Sequence, residues 1–140
     1  DRGLPGHPGP RGRVSLLAVA SGGALGAVAR YLVSGWVQDG SGGFFPWGTF
    51  VVNVAGCLLL GFSLAWLQAT LASAEVRDLV TIGFLGSFTT FSTVGYETVA
   101  MLRDGEMARA GGYAMGSLLL GLVAVVAGTA LAHALIQTRG

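Results

Sequence analysis

Eleven consecutive residues, Gly83–Thr93 (GFLGSFTTFST), place two glycines and five hydroxyl side chains in the middle of a long apolar stretch. A helix facing lipid has no use for such a centre. In hydrocarbon, an interrupted helix is tolerated only where its freed backbone groups meet protein, water or an ion. Carbonyls released by a break would suit a hard, oxygen-seeking cation such as Na⁺, as in the broken helices of several transport proteins. The hydroxyls of Thr89, Thr90, Ser92 and Thr93 would suit a small anion by donating hydrogen bonds to it. The alternative is that they bond back to carbonyls one turn earlier. Phe88 and Phe91 either pack or turn positive ring edges toward an anion.

Other polar residues fall inside apolar runs. Arg30 is either a snorkelling anchor at a helix end or the source of an electropositive vestibule. Asn53, in Gly48–Gly56 (GTFVVNVAG), can bond a neighbouring helix or donate its amide hydrogens to an anion. Glu97 could relay protons, pair with an arginine or lie at the interface. Tyr113 and Ser117 are i and i+4, so they share one helix face as a short polar stripe. His7 and His133 have no second ligand at metal spacing and read as structural. No nucleophile–base pair, phosphate loop or nucleic-acid motif occurs, so neither an enzyme nor a nucleic-acid partner is expected.

The elements that must hold these residues are membrane helices. Of the 140 residues, 52% are hydrophobic and 11% charged, against roughly 25% charged in an ordinary soluble domain. Four apolar runs, Val14–Trp36, Phe50–Ala74, Leu79–Leu102 and Gly112–Ile136, each reach the ~20 residues needed to span a bilayer. They predict an all-α integral membrane protein of four spans, with the third broken at the midplane. Residues 1–13, rich in Gly, Pro and Arg, are expected as a disordered tail and 14–140 as one membrane domain. The first run reads as a span rather than a cleavable signal peptide, because Arg30 interrupts it and no clear cleavage site follows. Cys57 is the only cysteine. Gly22/Gly26 and Gly112/Gly116 have the spacing that lets helix backbones approach closely. Arg2, Arg11, Arg13, Arg77 and Arg139 fall on one side of the bilayer and Arg103 and Arg109 on the other, which predicts cytoplasmic termini if orientation is fixed.

Together the segments resemble the CrcB/Fluc family of fluoride channels. Gly22–Tyr31 (GGALGAVARY) is similar to the first-span pattern, with Arg30 at its characteristic arginine. Gly48–Gly56 is similar to the second-span motif, with Asn53 at the pore asparagine. Gly83–Thr93 is similar to the third-span break, the family's most specific signature, and Tyr113 and Ser117 to its fourth-span polar track. The resemblance covers nearly everything after the tail. It implies an antiparallel, dual-topology-type dimer with two pores at the subunit interface, which exports fluoride passively through the plasma membrane and relieves fluoride toxicity. It also implies a central structural Na⁺, not itself transported, on the backbone carbonyls of Gly86 and Thr89. Asn53, Phe91, Tyr113 and Ser117 would line the fluoride path beside the hydroxyls of Thr90, Ser92 and Thr93, with Arg30 at a vestibule and Glu97 near one end.

Two positions depart from that pattern. Val94 stands where a second phenylalanine is usual, and Gly121 where a serine is frequent. The partner is therefore expected to be either a second copy or a non-identical sister subunit that completes the path. Two other readings compete. A proton-coupled exporter of the small multidrug type would have to rest on Glu97, the sole acid within a span. A non-transporting membrane scaffold would explain the glycines but leave the break and Asn53 without a purpose.

Overall fold

A computed structural model describes residues 10–43 and 45–138. Along the chain lie α1 (Pro10–Ser41), α2 (Trp47–Ala69), α3 (Ala74–Arg77), a π-helical stretch (Asp78–Leu85), α4 (Gly86–Phe88), α5 (Phe91–Arg103) and α6 (Met107–Gln137). The segments from α3 to α5 share one rod, so four rods are long and apolar enough to cross a membrane: Ser15–Ser41, Trp47–Ala69, Ala74–Arg103 and Met107–Gln137. The all-α, four-span expectation holds among the described residues.

The boundaries differ from those read in the sequence, for local reasons. Pro10 opens α1 inside the stretch expected as tail; proline's fixed φ suits a first helical position. The rest of that tail, residues 1–9, lies outside the described residues, as does Arg139. The second span stops at Ala69 rather than Ala74 because Leu71 turns left-handed (φ 52°). The Ala72 N–H then closes the helix end on Leu67 O at 3.0 Å, a six-to-one bond typical of helix C-termini. Ser73 caps the next helix by accepting from the Val76 N–H, which makes Glu75–Asp78 helical rather than a connection. Gly105 (φ 79°) ends the third rod in the same left-handed way, and α6 starts at Met107, five residues before the expected Gly112.

Glycines set how closely the rods approach. A Cβ built on Gly26 would lie 2.1 Å from Phe84 O, and one on Gly83 would lie 2.8 Å from Val19 O. The α1 backbone therefore rests directly on the π-helical stretch. That stretch carries an i→i−5 bond from the Gly86 N–H to Thr81 O, a feature the apolar pattern does not encode. A Cβ on Gly61 would meet Val125 O at 2.2 Å, and one on Gly128 would meet Leu58 O at 2.0 Å. Contacts between α2 and α6 advance in the same sense along both helices, from Phe50 with Gly116 to Leu58 with Gly128, so these rods run parallel. Gly112 has nothing within 4 Å of its Cβ position. Its half of the expected small-residue pair therefore makes no close approach within the subunit.

Candidate functional site

The third rod comes apart at two residues. Thr89 (φ −83°, ψ 158°) and Thr90 (φ −150°, ψ 115°) are extended between α4 and α5. Asn53 on α2 holds this peptide from both sides. Its Nδ2 donates to Thr90 O at 3.0 Å, and its Oδ1 accepts the Thr90 N–H at 2.7 Å. A side-chain amide thus does for one residue what a neighbouring strand would do, and no backbone group of Thr90 is left unpaired in the membrane. Gly56, one turn along from Asn53, makes room for the break: a Cβ there would sit 2.3 Å from Thr89 Cγ2.

The diverted hydrogen bonds have a consequence for two carbonyls. In an unbroken α-helix the Thr90 N–H would bond Gly86 O, and the Thr93 N–H would bond Thr89 O. Here the first goes to Asn53 Oδ1 and the second to Thr90 Oγ1 at 3.3 Å. The two carbonyls expected to hold a cation are therefore among those that lose their helical donors at the break. The hydroxyls divide between roles. Thr89 Oγ1 bonds back to Leu85 O at 3.1 Å, the structural alternative. Thr90 Oγ1 caps α5 and also meets Thr93 Oγ1 at 2.9 Å and Ser92 Oγ at 3.3 Å.

Around the break lie three clefts. The first, of about 290 Å³, is lined by Asn53, Thr89, Thr90, Phe91, Ser117 and Cys57 together with apolar residues that include Val94 and Leu118. Ser117 Oγ is the one buried side-chain polar atom among the described residues with no hydrogen-bond partner. Buried hydroxyls are nearly always paired, so an unpaired one calls for an absent partner. Phe91 stands at this cleft 88% exposed. A second cleft, of about 270 Å³, shares Thr90 and adds Arg30, Thr93 and Thr49. Among the described residues Arg30 makes no ion pair or hydrogen bond. A third, of about 390 Å³, shares Ser34 and Thr49 with the second and reaches Glu97 and Gln38.

Glu97 is tied inside the subunit. It accepts from Thr49 Oγ1 at 2.9 Å and from the Tyr113 hydroxyl, linking α2, α5 and α6. Tyr113 is fully buried, its ring edge-on to Phe45 at 5.4 Å, and it lines none of the three clefts. The structure therefore brings Asn53, Thr89, Thr90, Phe91 and Ser117 together, sets Thr93 with Arg30, and keeps Glu97 and Tyr113 apart from both groups. Ser92 is exposed, and so is Gly86. Sequence reading missed Thr49, four residues before Asn53 and hence on the same helix face. It also missed Gln38, whose Nε2 holds Gly43 O and Phe45 O at 3.2 Å while Oε1 accepts the Gly48 N–H. No local signal marks that glutamine.

A family model described as CrcB-like protein, Camphor Resistance (CrcB), matches residues 17–129. Three curated relatives share the name fluoride-specific ion channel FluC. One from Thermus thermophilus is 46% identical over 120 residues, covering 86% of this chain and 94% of its own length. That of Geobacter sulfurreducens is 49% identical over 122 residues, covering 86% and 98%. That of Opitutus terrae is 48% identical over 128 residues, covering 89% and 96%. With a match that reaches all four rods and relatives nearly half identical across almost their whole length, this chain belongs to the CrcB family.

Proposed function

We propose that this protein is a passive, fluoride-selective channel that lets fluoride leave the cytoplasm across the plasma membrane. The observation that carries the reading is the break clamped by Asn53, which opens on the unpaired Ser117 hydroxyl and, through Thr90, on the cleft of Arg30. The name shared by the relatives supplies the anion. Fluoride is small and strongly hydrated, so a selective path must replace its water with closely spaced donors. Arg30 attracts the anion, the Thr90 and Thr93 hydroxyls lie next to it, and the Asn53 amide, the Phe91 ring edge and Ser117 follow. Glu97 and Tyr113 shape one end of this path from behind. Glu97 is held by Thr49 and Tyr113 off the Asn53 cleft, which removes support from a proton-coupled exporter.

The working unit in this reading is an antiparallel dimer, as the resemblance implies, and a second subunit would close the cleft at which Phe91 stands exposed. The carbonyls of Gly86 and Thr89 fit a hard cation, their helical donors being diverted, and two subunits would offer four such oxygens. A bound Na⁺ would offset the charge of a nearby anion. The partner is a second copy or a sister subunit, and the arginine distribution favours cytoplasmic termini.

Liposomes loaded with fluoride and chloride salts and containing this chain are expected to release fluoride but retain chloride when a potassium ionophore balances charge. Equal release of both anions would defeat the reading. Silence from the chain alone, with release restored by a sister subunit, would assign the working state to the mixed dimer. For the cation, thermal melting in detergent is expected to occur at higher temperature in sodium chloride than in N-methylglucamine chloride. Identical melting in the two salts would remove Na⁺ from the proposal.

A further inference from the structure

The first cleft does not end at Ser117. Because α2 and α6 run parallel, Asn53 to Cys57 and Ser117 to Gly121 are steps of one turn in the same direction. At the second level α6 contributes no side chain, since that position is Gly121. The Cys57 Sγ occupies the gap, 3.4 Å from where a Gly121 Cβ would stand. Beyond Ser117 the lining is Leu118, Leu122 and Val125, so the thiol is the last polar group in that direction. A thiol packed only for its volume would not need a cleft beside it. This cleft also holds the buried, unpaired Ser117 hydroxyl one turn away, an independent sign of an absent hydrogen-bonding guest.

We infer that Cys57 is a specificity-determining residue of the anion path, its S–H donating to the anion at the level where Gly121 supplies nothing. This rests on the channel reading above. An S–H is a weaker donor than a hydroxyl, so it suits a station the anion must leave as readily as it enters. An apolar group at the same place would interrupt the line of donors for a strongly hydrated ion. No other cysteine complicates the experiment.

The test compares Cys57→Ser, Cys57→Ala and Cys57→Val by fluoride flux from liposomes, with gel filtration and thermal melting confirming an assembly like the parent's. Serine restores a donor of similar size and is expected to conduct within about twofold of the parent, whereas alanine and valine lose about tenfold, as for a hydrogen bond to a charged partner. Alanine adds no volume, so it remains informative if valine disturbs the fold. Parental flux through a well-assembled alanine or valine variant would overturn the inference, as would an equal loss in all three. A parent that itself releases no fluoride, alone or with a sister subunit, would instead count against the channel reading.

Discussion

Replacing Asn53 with aspartate is expected to cut fluoride flux by roughly two orders of magnitude and to lower stability by about 2–3 kcal/mol, because a buried carbonyl loses its donor and gains a negative neighbour. The acceptor for the Thr90 N–H survives in this variant, since one carboxylate oxygen can replace Oδ1. The donor to Thr90 O does not. Asn53→Leu removes both bonds and leaves two backbone groups unpaired at membrane depth, each worth several kcal/mol, so it is expected to assemble poorly. Liposome flux and detergent melting on the same preparations separate the effects. An aspartate variant that melts and conducts like the parent would show that the clamp on Thr90 is dispensable.

The second large effect is expected at the glycines where backbones touch. Gly128→Ala puts a methyl group 2.0 Å from Leu58 O, and Gly26→Ala puts one 2.1 Å from Phe84 O. Neither neighbour is a flexible side chain, so whole rods must separate. Overpacking of this kind costs about 3 kcal/mol or more. Gly40→Ala is the control: its Cβ position is open, and removing glycine from a helix gains up to about 1 kcal/mol. Melting temperatures are expected to fall sharply for the first two and to hold or rise for the third. Equal melting of all three would mean that the rods are not packed on their backbones.

The four rods and the broken third span were legible because both signals are local. Long apolar runs report spans, and Gly86 followed by Thr89 and Thr90 reports a place where a helix gains little by continuing. Rod ends were misjudged by a few residues because they depend on cap geometry, as at Leu71, which has no compositional signature. Asn53 was singled out as a polar residue within a span, but its bonds to Thr90 lie 37 residues away in the chain; only the fold could show that it braces the break. Tyr113 and Ser117 were read as one stripe from their spacing. A single helix face still spans different depths of burial, and the aromatic cluster around Phe45 draws Tyr113 inward while Ser117 stays on the cleft. The π-helical stretch and the Gln38 bonds were invisible, since the apolar pattern encodes neither a shift in backbone hydrogen-bond offset nor the turn that a side-chain amide will close.

At Thr90 one helix ends and another begins, so a carboxyl end and an amino end face each other across two extended residues. Each end carries the equivalent of about half an elementary charge, negative where carbonyls project and positive where amides do. The first amides of α5, on Phe91 and Ser92, have no acceptor within their helix, while the carbonyls of Gly86 and Thr89 lie just before them. The joint is thus an electrical doublet, a negative pole beside a positive one, which under the proposed function would suit a cation and an anion side by side. Its fixed charges sum to zero. In the proposed channel such opposed half-charges would hold an anion more shallowly than an unbalanced full charge and let it go.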